Sequence, residues 1–162
     1  MSPKHLSHPS PQQRRLYPVP RPTPGLRRAL YLATLLIAGS GYAWLVAHYL
    51  LPLPETEEFT ARHPLETWSI RVHGAAAMLA LAVFGALWQQ HIGHALRQRR
   101  YAVSGTSLLA GWLGLIVSGY GLYYLTSEEL RATFSLSHWL LGLALPVALF
   151  AHIAHALTKK RR

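Results

Sequence analysis

Two features predict an all-α membrane four-helix bundle with both termini cytoplasmic: four long charge-free apolar runs, and charge sorted by sign between the segments that join them. Ala29 to Leu51, Val72 to Leu96, Tyr101 to Leu125 and Ser135 to Leu157 contain no Asp, Glu, Lys or Arg. Each exceeds the roughly 20 residues that cross the hydrocarbon core. All six acidic residues, Glu55, Glu57, Glu58, Glu66, Glu128 and Glu129, lie in the regions after the first and third runs. Only Arg62, Arg71 and Arg131 of the sixteen basic residues join them there. The rest sit in the N-terminal tail, the middle connection and the C-terminus, and basic loops stay in the cytoplasm.

The elements follow in order. Residues 1–28 are expected as an extended, solvated, basic cytoplasmic tail, because seven prolines precede residue 25 and Pro18, Pro20, Pro22 and Pro24 alternate. The first 25 residues are polar and the first apolar run is too long and too late for a leader, so no cleavable signal peptide is expected. Residues 29–158 are then expected as a single unit of four spans at about 29–51, 72–96, 101–125 and 135–157. The first span stops against Pro52 and Pro54, and an acidic external loop carrying His63 runs to about Ile70. The short turn Arg97 to Arg100 makes the second and third spans antiparallel neighbours. Thr126 to Phe134 is the second external loop, with a helical turn at Ser127-Glu128-Glu129. Residues 159–162 form a basic end. Tyr49, Trp68, Tyr123, Tyr124, Phe134 and Trp139 gather at the external boundary, the depth that amphipathic rings prefer.

Composition excludes several chemistries. With no cysteine there is no thiolate-held iron–sulfur cluster, no covalent c-type haem attachment and no disulfide. A net charge of +10 does not point to nucleic acid, because the basic residues flank spans and set topology. Attraction to anionic lipid headgroups is the expected by-product.

Chemistry is concentrated in the histidines. On the second span, positions 73, 77, 80, 84, 87, 91 and 94 alternate steps of four and three and read His, Ala, Ala, Phe, Leu, His, His. On the fourth, 138, 142, 145, 149, 152 and 156 read His, Gly, Leu, Leu, His, Ala. Such alternation marks the seam facing the interior of a left-handed bundle. His73 and His138 lie at one depth near the external face. His91 and His152 lie deeper by 18 and 14 residues, about 27 and 21 Å at ~1.5 Å each. His94 and His155 are alternates for the inner pair, and a bend at Pro146 makes either pairing feasible. The two spans also end alike, His91-Ile-Gly-His94-Ala-Leu and His152-Ile-Ala-His155-Ala-Leu.

Two opposed neutral imidazoles across a porphyrin need neither carboxylate nor thiolate, whereas zinc sites gather three or four ligands. Only the inner cluster of four histidines offers that many. On the third span Ser104, Ser107, Gly111, Gly114, Ser118 and Gly121 form one stripe of small residues, with Gly142 and Gly74 beside the outer histidines. The stripe is either a wall for the macrocycle or a surface for close helix packing. Intramembrane ionisable groups default to function, so the expected ligands are His73 with His138 and His91 with His152. His94 and His155 serve haem propionates or quinone protonation, or snorkel to the interface. His48 and His63 are expected to be interfacial and solvated.

From Arg71-Val-His73-Gly74 through Ser137-His138-Trp-Leu-Leu-Gly142 to His152-Ile-Ala-His155, about half the chain resembles the bis-histidine di-haem b-type cytochromes of bacterial membranes. That group includes the cytochrome b core and the cytochrome subunits of formate dehydrogenases and hydrogenases. The resemblance implies haem b held by His73, His138, His91 and His152. It also implies electron transfer across the inner (cytoplasmic) membrane, with quinone and a periplasmic or membrane redox subunit as partners. On this reading the chain is an electron-transfer protein or cytochrome subunit rather than a complete enzyme. Two alternatives remain: a single-haem anchor subunit of a dehydrogenase or reductase, and a haem-free histidine-lined metal transport protein.

Overall fold

The computed structural model describes residues 20–53, 62–98 and 103–161. These form four helices, α1 (Pro24–Leu50), α2 (Pro64–Arg97), α3 (Val103–Tyr124) and α4 (Glu128–Arg161), with no strand among the described residues. All four are long and apolar enough to cross a membrane. The tail before Pro20, Glu55, Glu57, Glu58, Arg99, Arg100, Tyr101 and Arg162 lie outside the described residues.

The helices start earlier than hydropathy alone predicts, and local capping chemistry explains the difference. The Thr23 hydroxyl accepts from the Leu26 amide at 3.3 Å with Pro24 at the first helical position, so α1 takes in residues 24–28 that were assigned to the tail. The His63 Nδ1 accepts from the Leu65 amide at 3.1 Å, again before a proline, so α2 begins at Pro64 and replaces the loop expected to reach Ile70. Ser127 caps α4 through the Leu130 amide at 3.5 Å, with Glu128 and Glu129 in the first turn where the helix dipole favours negative charge. The isolated turn expected there is the first turn of α4 itself, which then continues helical on both sides of Pro146.

Packing divides the four helices into two antiparallel hairpins, α1 with α2 and α3 with α4. Ala33 and Ala47 of α1 and Ala76 and Ala80 of α2 are buried small residues that let backbones approach closely, with Val83 and Leu87 of α2 buried beside them. At the outer end His48 bonds Glu66 at 3.1 Å and stacks on Trp44 at 4.6 Å between ring centres. His48, itself exposed, thus ties α1 to α2 and His63 caps a helix, at the helix ends where both were expected. Between the hairpins α1 touches α4, and α2 meets α3 through Phe84 stacked on Trp112 at 5.3 Å. The short turn after Arg97 therefore makes α2 and α3 neighbours through side chains, not through close backbone packing.

The proposed seams face inward. On α2, His73, Ala77, Ala80, Phe84, Leu87, His91 and His94 are all buried or half-buried, while Met78, Leu81 and Trp88 are exposed to the bilayer side. On α4, His138, Gly142, Leu145, Leu149 and His152 are half-buried, and His155 is exposed, as is Ala156.

One departure from regular helix was not predictable from periodicity. Trp88–Ile92 is a π-turn, closed by the Gly93 amide bonding the Trp88 carbonyl. Such turns insert one residue and re-aim side chains, frequently at functional sites. Here the turn directs Gln90 and His91 at the start of α1. Gln90 Oε1 accepts from the Thr23 amide at 3.3 Å and His91 Nδ1 donates to the Pro20 carbonyl at 2.8 Å. A Cβ at residue 93 would stand 2.9 Å from the Trp88 carbonyl oxygen, a backbone atom that cannot swing away. Gly93→Ala is therefore expected to convert the turn to regular α-helix, which alanine prefers by ~1 kcal/mol over glycine. Hydrogen exchange at the Thr23 amide checks this. Faster exchange there with unchanged protection around His73 is the expected result.

Candidate functional site

Two histidines from different hairpins meet inside the half of the bundle, expected to be the outer one, where α1 and α3 end and α2 and α4 begin. The rings of His73 on α2 and His138 on α4 are 6.2 Å apart centre to centre, with planes 77° apart. An imidazole nitrogen sits about 2 Å from a first-row metal ion, so two rings sharing one ion stand roughly 6 Å apart. The observed spacing suits that arrangement.

Each ring is held from behind by the first helix of its own hairpin. His73 Nδ1 donates to the Ile37 carbonyl at 3.0 Å, with the Ser40 hydroxyl 3.2 Å away. Ser40 spends its own proton on the Leu36 carbonyl at 2.7 Å. In the second hairpin Ser118 donates to the Gly114 carbonyl at 2.7 Å, which leaves its oxygen to accept from His138 Nδ1 at 2.8 Å. A carbonyl partner requires the proton on His73 Nδ1, and a serine whose own proton is spent favours the same for His138, the form whose free Nε2 binds metal. Glycines follow both serines. A Cβ at Gly41 would lie 3.3 Å from His73 Cε1, and one at Gly119 3.3 Å from His138 Cε1, so each ring rests on bare backbone.

Of the inner histidines, His152 is held in the same manner. His152 Nδ1 bonds the Ser104 hydroxyl at 2.9 Å, with Gly105 alongside. Ser104 lies fourteen residues before Ser118, and His152 fourteen after His138, so one unbroken antiparallel register of α3 on α4 makes both bonds. His91 donates to the Pro20 carbonyl. The extra residue in the π-turn trims the depth mismatch between His91 and His152 by one rise, ~1.5 Å. His94 has a buried Nδ1 with no hydrogen-bond partner among the described residues. Those residues contain no convergence of three His, Asp or Glu side chains, so the inner cluster does not form the three-ligand set that zinc would need.

The small-residue stripe on α3 resolves by position. A Cβ at Gly111 would come 2.9 Å from Leu145 Cδ1, and one at Gly114 2.9 Å from Leu141 Cδ1. Gly121 faces Phe134. At 111 and 114 the stripe seats leucine side chains of α4, the close-packing contact that was one of its two readings. Gly142 and Gly74 have no neighbour within 4 Å of a Cβ position, and Gly142 remains the open small residue beside His138.

What sequence reasoning missed is the set of partners behind the ligands. The signal was present as Ser40-Gly41-Tyr42 in α1 and Ser118-Gly119-Tyr120 in α3, with Ser104-Gly105 repeating its first two residues. No family model, curated protein or solved structure matches this chain.

Proposed function

We propose that this chain is a b-type cytochrome of the bacterial inner membrane, carrying electrons between the two membrane faces through two bis-histidine haems. The observation that carries the reading is the outer pair: two imidazoles 6.2 Å apart, from helices of different hairpins, with their Nδ1 protons already engaged. The donor set also fits, because neutral nitrogen ligands without carboxylate or thiolate suit haem b. His73 and His138 would hold the outer group, and His91 and His152 the inner one.

Bound haem supplies a reversible one-electron couple. The chain's own residues do the rest. The serine and carbonyl acceptors orient the imidazoles, and half-buried seam residues keep water from the centre. The Phe84–Trp112 pair fills the bundle between the two levels, which are ~21 Å apart along α4. No Asp or Glu lies within the four charge-free runs, so protons have no carboxylate path along with the electrons. Net positive charge on the tail, middle turn and C-terminus favours a cytoplasmic location for both termini. Electrons would be exchanged with the quinone pool or a periplasmic or membrane redox subunit.

One observation favours a single-haem anchor as second reading. Of the histidine pairs among the described residues, only His73 and His138 bring their rings into contact. Haem extraction from the purified full-length protein, quantified as its pyridine complex, separates the readings. Two non-covalent b-type haems per chain are expected. One supports the anchor, and none with bound zinc would transfer the histidines to metal transport.

A further inference from the structure

Three of the four expected ligands bond the side chain of a serine that is followed at once by glycine: Ser40-Gly41 with His73, Ser118-Gly119 with His138, and Ser104-Gly105 with His152. The three serines stand on the first helix of a hairpin and the three histidines on the second. Chance does not readily give the same dipeptide the same partner atom three times, and each member has a physical task. The serine hydroxyl, bonded to a carbonyl one turn back where that bond is seen, becomes a pure acceptor inside an apolar bundle. At 41 and 119 the glycine removes a Cβ that would crowd the imidazole at 3.3 Å, and at 105 it leaves the ring in ordinary contact distance, 3.7 Å from a Cβ position. The fourth histidine, His91, leans instead on the backbone carbonyl of Pro20.

We infer that Ser40, Ser118 and Ser104, each with its following glycine, are positioning residues that fix the ring plane and the Nδ1-protonated tautomer of His73, His138 and His152 so that Nε2 faces the bundle interior. This deepens the proposed function and rests on it for the identity of the group at Nε2. The tautomer itself does not depend on that group. An acceptor on the far nitrogen raises ligand basicity and holds ring orientation, and losing it typically lowers metal affinity 10–100-fold. It also favours the ferric state, since a more basic imidazole stabilises the higher charge. Ser118→Ala is therefore expected to weaken haem binding at the outer site by about 10-fold. It should also raise that haem's midpoint potential, a tenfold change in the ratio of the two oxidation states' affinities being 59 mV.

The test uses full-length protein in detergent with three readouts. Nitrogen NMR of the haem-free protein reports the His138 tautomer. Haem titration reports affinity, and redox potentiometry reports the potential. Wild type is expected to hold the proton on Nδ1, and Ser118→Ala to show mixed tautomers, weaker haem binding and a higher outer potential. Ser118→Thr, which keeps the hydroxyl, restores all three. Gly119→Ala keeps the hydroxyl but crowds the ring at 3.3 Å, and is expected to alter the haem spectrum while the tautomer holds. A wild-type His138 with its proton on Nε2 overturns the inference, as does a Ser118→Ala protein unchanged in tautomer, affinity and potential. A colourless wild type with Nδ1 protonated and a Ser118-dependent tautomer overturns the haem reading alone and leaves the positioning role standing.

Discussion

Changing His138 to alanine is expected to remove the outer haem and leave the inner one, cutting haem content by about half. On the proposed reading His73→Ala gives the same loss, because His73 and His138 would together hold the outer haem. His48 is the nearest other imidazole toward that face, and it is engaged with Glu66 and Trp44. His152→Ala mirrors the effect at the inner level, while His155→Ala is expected to spare both haems because that side chain is exposed. Haem per chain and the reduced spectrum of each purified variant decide the matter. If His152→Ala leaves haem content at the wild-type level, the single-haem reading replaces the two-haem one. If His94→Ala costs as much as His91→Ala, the inner pair has been assigned to the wrong residue of α2.

The second large effect concerns the hairpin that carries His73. Ala33 and Ala80 are each 1% exposed and face one another across α1 and α2 in a cluster with Val83 and Leu87. Three added carbons at either position have nowhere to go, because the helices approach on small residues. Ala80→Leu is expected to cost about 1–3 kcal/mol, the usual penalty for overpacking. It would also move His73 away from Ile37 and Ser40. Met78→Leu, on the bilayer-facing side at 72% exposure, is expected to change stability by no more than about 0.5 kcal/mol. Unfolding of both variants by titration with denaturing detergent, followed by tryptophan fluorescence, checks the contrast. Equal stabilities would place the α1–α2 contact elsewhere.

The four helices were legible in the sequence because an apolar run long enough to span a bilayer has few other fates. Their inward faces were legible too, since the alternation of four- and three-residue steps on α2 and α4 is a property of the helix itself. The starts of α1, α2 and α4 were not, because capping by Thr23, His63 and Ser127 acts on a single turn and leaves hydropathy untouched. The π-turn at Trp88–Ile92 was hidden for a related reason: a single glycine at 93 permits it, and glycine has many uses in a membrane helix. The serines behind the histidines were visible as small residues, but their role as acceptors required the register of α3 on α4. A window of one helix does not contain that register. Gly111 and Gly114 show the converse: the stripe alone named no partner, and the leucines of α4 that meet it became visible only in the packed hairpin.

The account stands on one iron shared by His73 and His138, and the low-temperature electron paramagnetic resonance spectrum of the oxidised full-length protein tests that sharing most directly. Two axial imidazoles with planes 77° apart predict a low-spin ferric signal of high anisotropy, lost on His138→Ala. A spectrum with only high-spin ferric haem, or with no haem signal at all, would contradict it.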